Sequence, residues 1–254
     1  MVSVSVNGSR LSYERRGQGI PLVLLHGYPL DHSLWDLLAP RLENKFDLIM
    51  PDLRGFGETP AAEKDLAISD FAADVAGLLN QLNIHQAAVA GHSMGGYVAL
   101  AIARAYPERL LGLGLVSSQA LADAPDGKAG RYKKAQAILS SGVREEAEAM
   151  SAKLSARPEL QAWSKQLILR QSPAGMAGAL RAMAERPDST GLLAGFSSPL
   201  VLVHGLADVL IPIERARSIK ATVPGAQLIE IPAAGHLPMM EAPQETAEAL
   251  LRLL

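Results

Sequence analysis

The sequence predicts an α/β protein, a mostly parallel eight-stranded sheet with helices on both faces. Three observations carry that prediction. Short, wholly apolar runs recur along the chain, as in strands buried on both sides. Helical stretches with a single apolar stripe lie between them. An alternating hairpin at the start supplies the antiparallel part.

Residues 2–6 alternate apolar and polar, Asn7-Gly8 is a two-residue turn signal, and residues 11–15 alternate again, which reads as a hairpin. After Gly17-Gln18-Gly19 come the apolar runs 21–25, 48–50, 87–90, 111–116 and 200–203, and a further strand at 227–231. Residues 68–82 place Phe71, Val75, Leu78, Leu79 and Leu82 on one helical stripe, and residues 94–106 are rich in Ala and Leu. Strand and helix in alternation give a parallel sheet with crossover connections.

The alternation breaks once. Over 121–198 no buried strand can be read, only helical pattern punctuated by Pro125, Pro158, Pro173 and Pro187, enough for three or four short helices. The expected organisation is therefore a core of 1–120 and 199–254, with 121–198 as a helical cap inserted before the strand that carries the candidate acid. A helical layer packed on the sheet is the plain alternative. A lid over an active site is the expectation, because of the residues that flank the segment.

Composition narrows the function. Hydrophobic residues make up 48% and charged residues 20%, the balance of a globular chain with a substantial core. The net charge of -2 and the lack of a Lys/Arg block argue against nucleic acid as a partner. There is no cysteine, so disulfides, thiolate metal sites and a cysteine nucleophile are excluded together. The opening residues lack the pattern of a signal peptide, and no apolar stretch approaches the roughly 18 residues a membrane helix needs. The expectation is a cytoplasmic protein without membrane attachment, acting as monomer or homodimer on a small-molecule substrate.

The central motif is Gly91-His92-Ser93-Met94-Gly95, directly after the strand 87–90 and directly before a helix. It matches the G-x-S-x-G nucleophile elbow in its required strand-turn-helix setting. Ser93 would occupy a tight, strained turn with Oγ exposed, and side chains two positions to either side would collide. Bare G-x-S-x-G arises often by chance; in this setting it is specific.

A serine hydroxyl is a poor nucleophile at neutral pH and needs a base, which needs an orienting acid. Behind such an elbow these follow in the order Ser, Asp or Glu, His. The strand 200–203 runs into His204-Gly205-Leu206-Ala207-Asp208, and the strand 227–231 leads to Ala234-Gly235-His236-Leu237-Pro238. Asp208 and His236 would thus stand on loops at the C-terminal ends of strands, where open α/β sheets gather functional groups. Taken alone, each is an ordinary loop residue. With the elbow in place, Ser93, Asp208 and His236 form the candidate catalytic set.

The oxyanion of acyl transfer needs two preorganised N–H donors. The Met94 amide, at a helix N-terminus, is one candidate, and the Tyr28 amide in His26-Gly27-Tyr28-Pro29 is the other. His26 reads as a brace of that loop, His32 and His85 as surface residues, and His92 and His204 as residues packed in their turns. H-E-x-x-H spacing, a P-loop Lys and G-x-G-x-x-G are all missing, so neither a metal nor a nucleotide cofactor is expected.

In order, His26-Gly27-Tyr28-Pro29, Asp52-Leu53-Arg54-Gly55-Phe56-Gly57, Gly91-His92-Ser93-Met94-Gly95-Gly96, Asp208 and Gly235-His236 resemble the landmarks of the α/β-hydrolase superfamily. The resemblance spans essentially the whole chain. It is strongest to the small bacterial branch of carboxylesterases, enol-lactone hydrolases and cofactor-free haloperoxidase or perhydrolase-type enzymes. It implies the α/β-hydrolase fold, a pocket between cap and sheet, and a structural role for 52–57, with Arg54 as a substrate-binding charge the minority alternative. Relatives with Asp as nucleophile, the haloalkane dehalogenases and epoxide hydrolases, are set aside by Ser93.

The leading expectation is hydrolysis of short to medium carboxylic esters through an acyl-enzyme. The alternatives are an enol-lactone or carbon–carbon bond hydrolase of aromatic degradation, a perhydrolase-like activity, and a non-catalytic ligand receptor on the same fold. Candidate substrate-binding residues are Leu121, Met150, Trp163, Met183, Leu210 and Leu237, any of which could be core instead. Lined by these, the site would be apolar and adaptable, and would favour neutral esters.

Overall fold

The computed structural model describes residues 1–253. Eight strands are present: β1 (Val2–Val6), β2 (Ser9–Gly17), β3 (Ile20–Leu25), β4 (Phe46–Pro51), β5 (Ala87–His92), β6 (Leu110–Val116), β7 (Leu200–Gly205) and β8 (Gln227–Ile231). They form one sheet in the order β1-β2-β4-β3-β5-β6-β7-β8. β2 runs antiparallel to both of its neighbours, and every pairing from β4 to β8 is parallel. The β1–β2 turn is made by Asn7 and Gly8, both at positive φ (48° and 77°), the geometry a two-residue hairpin demands.

The helices are α1 (Ala39–Leu42), α2 (Ile68–Gln81), α3 (Met94–Ala105), α4 (Pro125–Ser141), α5 (Arg144–Leu154), α6 (Pro158–Ile168), α7 (Pro173–Ala184), α8 (Thr190–Leu193), α9 (Glu214–Thr222), α10 (Pro238–Glu241) and α11 (Pro243–Leu250). α2 and α3 pack on each other, and α3 lies along β5 and β6; α1 and α11 also meet, α1 against β4 and α11 against β7. Every residue of β5 and of β7 is buried, as strands covered on both faces must be. That explains why these strands are continuous apolar runs instead of alternating ones.

Between β6 and β7 the regular elements are all α-helices, five of them, α4 to α8, where three or four were expected. Pro125, Pro158 and Pro173 each open a helix, where the missing N–H costs nothing. None of the helices of the described residues is long and apolar enough to cross a membrane.

The parallel pairing of β3, β5, β6, β7 and β8 puts their C-terminal ends on one edge of the sheet. The loops after β3, β5, β7 and β8 therefore converge there, carrying Tyr28, Ser93, Asp208 and His236.

The loop after β4 is a brace. Arg54 grips Asp74 of α2 with two hydrogen bonds of 2.8 and 2.5 Å, and both are buried. Asp74 also accepts from the Asn7 amide of the hairpin at 3.1 Å. Arg54 is thus spent on structure.

Candidate active site

Ser93 stands at φ 49° and ψ -111°, immediately before α3. For a residue with a Cβ this is a strained backbone, costing about 1–3 kcal/mol. The surroundings hold it there. The Ser93 N–H donates to the Val116 carbonyl of β6 at 2.9 Å, and the Ser93 carbonyl accepts from Ser118 Oγ at 2.8 Å. A Cβ on Gly91 would run into the Gly95 carbonyl, and one on Gly95 into the Leu25 carbonyl of β3, so the turn closes only with glycine at both places.

Asp208 and His236 belong to loops stitched together by their backbones: Leu206 N–H donates to the Ile231 carbonyl at 3.0 Å and Ala207 N–H to Ala234 at 2.9 Å. Asp208 Oδ2 lies 2.7 Å from His236 Nδ1, and Oδ1 accepts from the Leu210 and Ile211 amides at 2.8 and 3.0 Å. Burial alone would raise the Asp208 pKa, but the His236 hydrogen bond and these amides bring it below the usual carboxylate value. The carboxylate is fixed between these amides and Nδ1 of His236. His204 also comes within 3.5 Å of Asp208 Oδ2, yet its Nε2 is engaged at 2.7 Å with the Ile211 carbonyl. Burial lowers its pKa.

The His236 backbone is held from three sides. Its N–H donates to the Leu154 carbonyl at the end of α5 at 3.1 Å, and its carbonyl contacts His92 Nε2 at 2.8 Å. The buried Glu241 carboxylate accepts from Gly235 N–H (2.7 Å), Leu237 N–H (3.2 Å) and Ser155 Oγ (2.5 Å). One carboxylate thus brackets the histidine and ties it to the segment after α5. His92 is fully buried with its ring 4.7 Å from that of His236, and burial holds its pKa far below the ordinary value.

Ser93 and His236 line a common cavity of about 120 Å³. This is small beside the roughly 300–1,000 Å³ of sites for drug-sized ligands. Of the residues expected to bind substrate, Met150, Met183 and Leu210 line it, as does Tyr28. Leu121, Trp163 and Leu237 do not. Leu237 is fully buried in the core, Trp163 packs half-buried against it from α6, and Leu121 contributes its carbonyl to Arg186 at 2.9 Å. The side chain of Met94 is also core, which leaves its amide as the group that can serve the site. Among the described residues, the Tyr28 and Met94 N–H groups donate to no protein acceptor.

Tyr97, Gln119, Arg131 and Ile211 complete the wall. The cavity is more polar than expected, because α4 turns Arg131 into it while α3 and the loop after β6 bring Tyr97 and Gln119. Ile211 could have been found from its place beside Asp208. Arg131 lies in a mostly exposed helix rich in polar residues, where nothing local distinguishes it.

The remaining histidines divide. His26 is buried, with Nε2 accepting from the Leu53 N–H at 2.9 Å, the brace that was expected. His85 is exposed. His32 is not a free surface residue, since its Nδ1 meets Asp52 at 2.7 Å. Asp31, His32 and Asp52 are the one group among the described residues close enough to share a metal ion. Asp31 Oδ1 and both Asp52 oxygens are already engaged by Ser33, His32 and Glu58.

The sequence profile described as the alpha/beta hydrolase fold matches residues 20–243. The chain belongs to the α/β-hydrolase family. A pimeloyl-[acyl-carrier protein] methyl ester esterase of Aeromonas hydrophila is 31% identical to it over 94% of this chain and 97% of that one. The acetyltransferase component of the acetoin cleaving system of Pseudomonas putida is 30% identical over 95% of this chain, which spans only 65% of that protein. Among solved structures, a malate-bound thermophilic esterase from Thermogutta terrifontis shares 38% identity with a TM-score of 0.93, covering 98% of this chain and 94% of that one. The chain thus belongs to a family that includes esterases.

Proposed function

We propose that this α/β-hydrolase cleaves short to medium carboxylic esters through an acyl-enzyme on Ser93. The observation that carries the reading is the Asp208–His236 hydrogen bond of 2.7 Å, set in one cavity with a serine on a strained elbow. Asp208 fixes the tautomer in which Nδ1 is protonated, so Nε2 is the lone pair available to a substrate or to Ser93. Ser93 Oγ has no protein hydrogen bond among the described residues, and its bond to His236 forms as the substrate seats.

Oγ attacks the ester carbonyl carbon while His236 Nε2 takes the Oγ proton. The carbonyl oxygen becomes an oxyanion, held by the Tyr28 and Met94 amides and by the N-terminus of α3. The imidazolium then protonates the leaving alcohol as the C–O bond breaks. Water, losing a proton to His236, hydrolyses the acyl-enzyme and restores Ser93. The small cavity favours short acyl groups, and α4, α5 and α7, which contribute Arg131, Met150 and Met183, act as a lid over it. The relationship to a methyl ester esterase and to a thermophilic esterase supports the choice of esters.

The test is hydrolysis of p-nitrophenyl esters of increasing acyl length, run beside an enol-lactone. Turnover of the short esters that disappears in Ser93→Ala, with the fold intact, is the expected result. Ester turnover that survives in Ser93→Ala refutes the assignment.

A further inference from the structure

The cap-side wall of the cavity carries an unspent positive charge, and we infer that Arg131 binds an anionic group on the substrate, so that the preferred esters are half-esters of short dicarboxylic acids. The inference rests on the ester-hydrolase reading of the same site and specifies its substrate class.

Arg131 lines the cavity that holds Ser93 and His236. Its Nε donates to Asp123 Oδ2. Its Nη1 reaches only the thioether of Met183, at 3.5 Å, a weak acceptor. Nη2 has no protein partner among the described residues. A guanidinium serving as a strut offers its planar fork to a carboxylate and spends two parallel N–H bonds on it, as Arg54 does with Asp74. Arg131 spends one, and it lines the cavity that Ser93 also lines.

The charge is not cancelled locally. Asp123 is shared, because Arg186 Nη2 holds its Oδ1 at 2.7 Å. Arg186 is buried, lies 4.1 Å over the Tyr97 ring, and also donates to the Met183 and Leu121 carbonyls, so it suffices to fix Asp123. The next carboxylate, Glu146, is taken by Lys134 at 3.1 Å and by the Tyr28 hydroxyl at 3.3 Å. Asp123 and Glu146 therefore face three cations, Arg131, Arg186 and Lys134. A substrate carboxylate arriving at Arg131 would supply the missing negative charge and could use Nη1 and Nη2 together.

The geometry also sets the orientation. With the scissile carbonyl at Ser93 and the free carboxylate at Arg131, the acid half of the ester spans the cavity and the leaving alcohol points away from α4. The cavity's size limits that acid to a few carbons between its two carboxyl groups.

The experiment compares wild type and Arg131→Gln on two substrate series of equal backbone length. One series is the monomethyl esters of succinic, glutaric and adipic acid; the other is the methyl esters of the matching monocarboxylic acids. The expected result is a wild-type kcat/KM that favours a half-ester by about tenfold or more, the size of one charge-assisted contact. That preference should be lost in Arg131→Gln and partly kept in Arg131→Lys, the half-ester kcat/KM falling by about tenfold more than that of the matching neutral ester. A binding arm needs no turnover: glutarate, but not the uncharged glutaramide, should raise the wild-type melting temperature, and Arg131→Gln should erase the difference. Equal wild-type activity on both series overturns the anion site while leaving the hydrolase reading intact. So does an Arg131→Gln variant that loses both activities in proportion, because that is the signature of a strut.

Discussion

Asp208 Oδ2 and His236 Nδ1 meet at 2.7 Å across two loops that leave neighbouring parallel strands, β7 and β8. Neither loop makes the contact alone. The backbone bonds from Leu206 and Ala207 to Ile231 and Ala234 set the distance, and the Leu210 and Ile211 amides aim the carboxylate. Asp208→Asn should keep this packing but place an amide N–H or carbonyl where an anion is required. The expected outcome is a fall in kcat of about three to four orders of magnitude with KM nearly unchanged. Steady-state kinetics on one short ester checks it, and a loss below tenfold would mean that Asp208 does not orient the base.

Glu241 gives a second prediction. Its carboxylate accepts from the residues on either side of His236 and from Ser155, so removing it leaves three buried donors without a partner. Glu241→Ala should lower kcat by about tenfold or more and reduce stability by about 2–4 kcal/mol. If kcat per folded molecule is unchanged, the bracket does not position the histidine.

The Arg54–Asp74 pair should behave as a buried ion pair. Arg54→Met strands a buried carboxylate and should cost about 3–5 kcal/mol by denaturant unfolding. The double change Arg54→Met with Asp74→Leu should recover much of that loss. Asn7 loses its acceptor in the double variant, so recovery is not expected to be complete.

Much of this arrangement is legible in the sequence, because chain order and strand ends are local properties. The apolar runs locate β3 to β7, and the residues that follow them are the ones brought together at the sheet edge. The strand ends read short by one or two residues at β4, β5 and β7, where Phe46, His92 and His204 continue the ladder although they break or bound the apolar run. The wall of the cavity was the weak point. Which side of α4 faces the sheet depends on how α4 packs with α7, and a helix buried at only Ala135 and Ile138 has no strong apolar stripe to declare it. Arg131 therefore reads as one more surface charge. Leu237 fails in the opposite way: it adjoins His236 in sequence, but its side chain turns inward to the core. His32 reads as exposed because its partner, Asp52, is twenty residues away and follows a different strand.

That pair makes a pH prediction. Burial by itself would lower the His32 pKa, but the hydrogen bond and charge of Asp52 raise it above the ordinary value of 6.5. A raised folded pKa means that protonated His32 stabilises the fold. The contribution is complete below the unfolded value and vanishes as pH rises through the folded one. His32→Gln should therefore destabilise the protein more at about pH 5.5 than at about pH 9, where the imidazole is neutral in both states. Chemical denaturation of both proteins at the two pH values checks the sign, and an equal loss at both would contradict it.

The central claim is that Ser93 is a nucleophile activated by His236, and covalent trapping tests it most directly. A fluorophosphonate probe at neutral pH, followed by peptide mass spectrometry, should label the peptide carrying Ser93 at one probe per chain. Labelling should be absent in Ser93→Ala and strongly slowed in His236→Gln. Folded wild-type protein that takes up no probe, or takes it up on another serine, would contradict the account.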